Sequence, residues 1–308
     1  MALNPIAQEI IDAFPVNEVS KLTPEDFRIT VNEGSAAVER EDVDAVEDRN
    51  LVGADGQELP VRVYRPEGVQ SPAPITVFFH GGGWVVGGLV SYDAECRALA
   101  NQTQTVLIAV DYRLAPEHPF PAAPEDCYAA LCQIVYLADE LDIDPNRLAV
   151  MGDSAGGNLA TVICLMSRDR GGPTICHQVL IYPACDIDPD RWPSTKENAT
   201  GYLLTDEMMR WFYRHYVGSE VFVDEAYASP IRADDLSGLP SAQVITAEFD
   251  PLRDEGEAYA QALSDAGVQT HYECVPGLIH GFLGFAEMIP EAKEARDAAC
   301  QRLVEALG

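Results

Sequence analysis

Gly152-Asp153-Ser154-Ala155-Gly156 sets a serine between two glycines, directly after the apolar run Leu148–Met151 and directly before a helical run. A GxSxG in that strand-to-helix context is a nucleophile elbow. The sharp turn forces the serine into a strained backbone conformation, and the flanking glycines remove side chains that would collide there. The hydroxyl then stands at a helix N-terminus, where N–H groups and the dipole favour developing negative charge. A second glycine cluster, His80-Gly81-Gly82-Gly83-Trp84, follows the apolar run Ile75–Phe79. Loops of this kind accompany the elbow and aim N–H groups at the reacting carbon, which marks Gly82, Gly83 and Ala155 as oxyanion donors. No Lys-Ser/Thr follows the glycines and no GxGxxG spacing is present, so a phosphate-binding loop is set aside. His80, at a strand end, is read as a loop anchor.

A serine hydroxyl needs a general base. Six histidines are present, and in sheets carrying such an elbow the chain order is serine, acid, histidine. His177, His215, His271 and His280 follow Ser154. His177 begins an apolar strand, His215 lies in an aromatic insertion and His271 starts the last strand. His280 sits in Gly277-Leu-Ile-His280-Gly281-Phe282, a loop just past that strand, and is the candidate base. The candidate acid is Asp250, in Phe249-Asp250-Pro251-Leu252-Arg253-Asp254, where Pro251 stops the ladder. Its role is to accept the Nδ1–H of His280 and stabilise the imidazolium. Asp254 and Glu248 are the fallbacks. Asp153, Glu117 and His118 are assigned structural hydrogen bonds. No cluster of His, Cys, Asp or Glu has metal-ligand spacing, so neither a metal nor a cofactor is expected.

The elements that must position these residues are legible as rhythm. Residues 44–65 alternate around Gly53–Gly56 as a hairpin. Ile75–Phe79, Val106–Asp111, Leu148–Met151, Gln178–Tyr182 and Gln243–Ala247 are short apolar runs rich in β-branched residues. Helical stretches separate them at Asp93–Asn101, Pro124–Leu141, Ala155–Arg168 and Arg253–Ala266. A last strand, His271–Val275, and a helix, Glu291–Ala306, close the chain. This is an α/β fold with a mostly parallel sheet covered on both faces. Residues 184–238 interrupt the rhythm and hold Trp211, Phe212, Tyr213 and Tyr216, the pattern of a helix over a pocket. Residues 1–45 read as mostly helical, with a helix start at Thr23. The expected organisation is a cap from 1–45 and 184–238, and a core from 46–183 and 239–308.

His80-Gly-Gly-Gly-Trp84, Asp111-Tyr-Arg-Leu-Ala-Pro-Glu-His-Pro-Phe-Pro121, Gly152-Asp-Ser-Ala-Gly-Gly-Asn158, Asp250-Pro-Leu-Arg-Asp254 and His280-Gly-Phe282 together resemble the hormone-sensitive-lipase family of bacterial esterases, in its GDSAGG branch. The resemblance runs from about residue 40 to the C-terminus. It implies the α/β-hydrolase fold with a helical cap, and hydrolysis of short- to medium-chain acyl esters through an acyl-enzyme. It also implies that Gly82, Gly83 and Ala155 form the oxyanion hole. By the same resemblance, the edge strand near His271–Val275 is where two copies could pair. An amidase or carbamate hydrolase with the same triad is the first alternative. A non-catalytic small-molecule-binding relative is the second, against which His280 speaks.

The 308 residues suffice for a sizeable core. The N-terminal stretch has no basic residue before Lys21 and carries acidic side chains, unlike a signal peptide. With no signal peptide read, the expected compartment is the cytoplasm, and the eight cysteines, which form no CxxC pair, read as reduced, buried thiols. Asp plus Glu number 50 against 20 Lys plus Arg, a net charge of −30. A field of this sign repels nucleic acid and anionic membranes, and excludes both as partners. It also repels itself, which salt screens. The two readings of this charge are adaptation to a salty medium and a merely acidic, well-solvated surface. The first expects the unfolding midpoint to rise as NaCl is added, and a flat or falling midpoint would leave the second.

Overall fold

The computed structural model describes residues 2–14, 21–35, 38–218 and 224–308. The expected cap stretches 1–45 and 184–238 each include positions outside that description. Eight strands form one sheet: β1 Ala45–Val52, β2 Glu58–Arg65, β3 Ala73–Phe79, β4 Val106–Val110, β5 Ile143–Asp153, β6 His177–Ile181, β7 Ser241–Phe249 and β8 Thr270–Ile279. Their order is β1-β2-β4-β3-β5-β6-β7-β8. β1 and β2 form the antiparallel hairpin and β2 joins β4 antiparallel. From β4 to β8 every pairing is parallel.

Alternation along the central strands explains the two-sided core. Ile75, Val77 and Phe79 of β3, with Val106, Ile108 and Val110 of β4, enter one apolar cluster. Phe78, Leu107 and Ala109 point the other way into a second. Strands buried on both faces must be apolar throughout, which is why these runs show no polar alternation. The first cluster is covered by α4 Ala122–Tyr136, α6 Ala155–Arg170 and α9 Arg253–Asp265. The second is covered by α3 Asp93–Thr103 and α10 Pro290–Leu307.

Three boundaries differ from the sequence reading. The helix expected over 124–141 stops at Tyr136 and restarts as the short α5 Ala138–Leu141. Leu137 between them leaves helical geometry (φ −91°, ψ 16°). β5 begins at Ile143, pairing Ala73 with Ile143 before a register shift. β8 runs four residues beyond Val275, through Pro276 and Gly277. A proline is tolerated there because β8 is the last strand of the sheet.

The N-terminal helices are built by their caps. α1 Pro5–Ala13 is capped by Asn4, whose side chain accepts from the N–H groups of Ile6 and Ala7. The Asn4 N–H donates to Gly277 O (2.9 Å), and Ala7 and Ile10 bury in the second cluster. α2 Pro24–Ser35 starts at Thr23, whose Oγ1 accepts from Asp26 N–H (3.1 Å), with Glu25 and Asp26 in the first turn. None of its residues is fully buried, although Phe27 and Val31 pack against the first cluster. Within 184–238 lie α7 Pro193–Glu197 and α8 Asp206–Val217. α8 buries Met208, Met209, Trp211, Phe212, Tyr213 and Tyr216, and Thr205 caps it by accepting from Met208 N–H.

Candidate active site

The parallel strands deliver their loops to one edge of the sheet, the place where open α/β sheets bind ligands. Ser154 follows β5, Asp250 follows β7, His280 follows β8 and the His80–Trp84 loop follows β3. Ser154 has φ 55° and ψ −119°, a strained conformation for a residue with a Cβ. The cause is crowding around the elbow. A Cβ on Gly156 would lie 1.9 Å from Phe79 O, and one on Gly152 would lie 2.2 Å from Gly156 O. Only glycine permits the start of α6 to pass this close to the end of β3.

The three candidate side chains meet although 126 residues separate the serine from the histidine. His280 Nε2 lies 3.0 Å from Ser154 Oγ. His280 Nδ1 lies 2.8 Å from Asp250 Oδ2. With Nδ1–H donating to the carboxylate, Nε2 is left as the acceptor for the serine proton. Asp250 is fully buried, and its second oxygen accepts from Leu252 N–H (2.8 Å). Its backbone carbonyl accepts from Asn198 Nδ2 (3.1 Å). The Tyr182 ring packs 4.7 Å from the His280 ring. The two fallback acids are engaged elsewhere: Glu248 accepts from Gly277 N–H (2.7 Å), and Asp254 accepts from Ser194 N–H (2.8 Å).

Gly82, Gly83 and Ala155 line the same cavity as Ser154 and His280. Among the described residues their N–H groups have no protein acceptor, as is usual for the first residue of a helix such as Ala155. Gly82 (φ 108°) and Gly83 (φ 59°) occupy the left-handed region. The Gly81 N–H is committed, donating to Asp153 Oδ1 (2.9 Å) and towards the Tyr92 hydroxyl (3.0 Å). Tyr92 in turn donates to Asp153 Oδ2 (3.0 Å). Asp153 thereby joins the end of β5, beside Ser154, to the glycine loop. His80 stacks on Tyr112 with centroids 4.3 Å apart, and its Nδ1 lies 2.7 Å from Gly81 O. It anchors the loop. His118 is exposed, His177 lies at the opposite end of β6, and His215 packs edge-on to Trp211.

Roofing the site is a cavity of about 350 Å³, lined largely by Phe27, Leu204, Met208, Met209, Phe212 and Phe285. Nothing in the sequence motifs identified Tyr92, Tyr182 or Asn198 as neighbours of the site. Tyr182 directly follows β6 beside the elbow, with φ 35°. All eight cysteines are free. Among the described residues there is no group of three or more His, Cys, Asp or Glu side chains able to hold a metal. Nor is any described helix long and apolar enough to cross a membrane.

A parallel sheet bearing a serine elbow at its carboxyl edge defines an α/β hydrolase, and residues 76–284 match the family described as alpha/beta hydrolase fold. The chain belongs to the hormone-sensitive-lipase family of esterases within that superfamily. It is 40% identical to the carboxylesterase NlhH of Mycobacterium tuberculosis, covering 99% of this chain and 96% of the relative. It is 38% identical to an ethyl acetate hydrolase of Pseudomonas putida, covering 89% of this chain and 87% of the relative. The structure of a hyperthermophilic esterase from the archaeon Pyrobaculum calidifontis superposes with a TM-score of 0.94 at 40% identity, covering both chains fully.

Burial pushes the Asp153 carboxyl up to about 6, against the Tyr92 hydrogen bond, the charge of His280 and the Gly81 N–H, which hold it down. The folded protein therefore holds this proton more tightly than the unfolded chain, whose aspartates titrate near about 4. Its contribution favours folding below about pH 4 and fades as pH rises through about 6. Relative to Asp153→Asn, the wild type should lose unfolding free energy across that interval. Denaturant titrations of both proteins at stepped pH check this, and a constant difference between them would refute it.

Proposed function

We propose that this carboxylesterase hydrolyses short- to medium-chain acyl esters by an acyl-enzyme route, with Ser154 as nucleophile, His280 as general base and Asp250 as its orienting acid. That the chain is an ester hydrolase follows from its full-length relatives. The observation that carries the finer reading is the continuous chain of hydrogen bonds from Asp250 through His280 to Ser154. In the proposed sequence, His280 Nε2 takes the Ser154 proton as Oγ attacks the ester carbonyl. The N–H groups of Gly82, Gly83 and Ala155 stabilise the oxyanion, and loss of one such donor costs about 10²–10³ in turnover. The protonated imidazole then donates to the leaving alkoxide, releasing the alcohol. Water, deprotonated by His280, attacks the acyl-enzyme and frees the acid and Ser154.

The cap we propose is drawn from residues 1–45 and 184–238, of which α2 and α8 reach over the cavity while α1 packs in the second apolar cluster. The meeting of α2 and α8 above the cavity supports it, through Phe27 stacked on Phe212 with centroids 6.0 Å apart. A cavity of about 350 Å³ with an apolar lining suits acyl groups of modest length. The relative that hydrolyses ethyl acetate supports the short end of that range. Eight unpaired thiols fit a reducing compartment, and we read the protein as cytoplasmic.

Replacing Ser154 by alanine should lower ester turnover by a factor of order 10⁶. Steady-state assays with p-nitrophenyl acetate check this, and near-wild-type rates would refute the assignment. Across p-nitrophenyl esters of increasing chain length, kcat/KM should peak at short to medium acyl groups and fall for long ones. A maximum at long chains would overturn the chain-length reading. Matched anilides should be cleaved far more slowly than the esters; equal rates would favour an amidase.

A further inference from the structure

α2 lies over the pocket with no fully buried residue of its own, seated in part by the half-buried Phe27 and Val31 and in part by polar contacts. The polar part of that seat is Arg28. Its guanidinium makes a bidentate pair with Glu117 (2.8 and 2.7 Å). It also donates to two backbone carbonyls, Val85 O from Nε (2.7 Å) and Ala115 O from Nη2 (2.8 Å). An exposed ion pair contributes little by itself, and Glu117 is half exposed. Hydrogen bonds from a charged donor to fixed carbonyls are stronger and more directional.

Those carbonyls belong to the segment that carries the oxyanion donors. The N–H groups of Val85 and Val86 both donate to Gly82 O (3.1 and 3.0 Å), closing the glycine loop into a turn. Ala115 N–H donates to Trp84 O (2.9 Å), tying that turn to the 112–117 loop. Arg28 therefore bonds to both sides of the structure that fixes Gly82 and Gly83. An apolar route reaches the same place. Phe27, the residue before Arg28, stacks on Phe212, and the Phe212 ring occupies the space a Cβ on Gly83 would need, 2.2 Å from that position.

We propose that Arg28 is a positioning residue that couples the seating of α2 over the pocket to the geometry of the Gly82–Gly83 N–H donors. A substrate that fills the pocket beneath Phe27 and Val31 presses on the same helix that holds the turn, so acyl-group fit is transmitted to stabilisation of the oxyanion. The coupling rests on the proposed oxyanion role of these glycines. It goes beyond that role by making a cap side chain part of its support.

The test uses the full-length enzyme with p-nitrophenyl acetate and p-nitrophenyl butyrate, and compares Arg28→Met, Arg28→Lys and Glu117→Gln. Arg28→Met keeps the apolar stem and removes every donor. It should lower kcat about tenfold or more on both esters, as small misplacements of catalytic groups do. It should also slow inactivation by an organophosphonate by a comparable factor. Arg28→Lys should recover part of kcat. Glu117→Gln leaves both carbonyl bonds in place and should stay within about threefold of wild type, because an exposed pair contributes little. An Arg28→Met enzyme whose melting temperature falls while kcat below that temperature is unchanged would overturn the coupling and leave a structural clasp. A rise in KM for butyrate alone, with kcat unchanged, would overturn it in favour of a simple lid. Absence of wild-type turnover would instead refute the esterase reading on which the coupling rests.

Discussion

The site depends on one close approach of backbone to backbone. The end of β3 and the start of α6 pass so near each other that a methyl group at position 156 would overlap Phe79 O. That contact holds the turn after β5 tight, drives Ser154 into its positive φ and stands the hydroxyl at the helix N-terminus. It also brings the two glycine segments side by side, because β3 and β5 are direct neighbours in the sheet. Asp153 then closes the gap, taking a hydrogen bond from Gly81 on the β3 side while sitting next to Ser154 on the β5 side. The ladder runs up to the elbow itself, with Gly152 paired to Phe79, Asp153 paired to Ile181 and Ser154 N–H donating to Ile181 O (2.8 Å), so the strain falls in a buried and hydrogen-bonded neighbourhood.

Much of this was legible from residue types, and the reason is local. An elbow needs its glycines within two residues of the serine, and a donor loop needs consecutive glycines after a strand. Both requirements are written in short windows. The strands were legible because burial on two faces demands uninterrupted apolar runs. Chain order then singled out His280 and Asp250, which the fold brings within 2.8 Å of each other. Less visible were features set by packing between distant segments. Leu137 carries no helix-breaking residue type, yet the helix stops there before turning into β5. The extension of β8 through Pro276 depends on its being an edge strand, which the one-dimensional pattern does not reveal. Arg28 lies 57 residues from Val85 and 89 from Glu117, with no motif to announce it.

Charge is organised by arginine. Of the 20 basic residues only Lys21, Lys196 and Lys293 are lysines. Arginine forks onto carboxylates and carbonyls at several places where loops must be tied to the core. Buried Asp186 receives Arg191 and Arg232 inside the 184–238 segment, and buried Asp126 receives Arg113 beside the hairpin. Fully buried Glu255 takes the N–H groups of Cys185 and Asp186, and burial holds its carboxyl well above the ordinary range. Its carboxyl fastens the loop after β6 to α9 through those two backbone hydrogen bonds.

The sheet also acts as a partition. Most of the side chains around the cavity belong to the apolar cluster on one of its faces, while α1, α3 and α10 pack on the other. Eight strands of hydrogen-bonded backbone stand between them. Residues of α3 and α10, none of which lines the cavity, can therefore be retuned for temperature or solvent with little effect on what the enzyme accepts, whereas Tyr92, Leu203 and Phe285 of the same cluster reach the cavity itself. Residues of α2 and α8 can drift towards new substrates without loosening the far wall. Such insulation lets a single scaffold diversify its chemistry on one side and its durability on the other, each under its own selection.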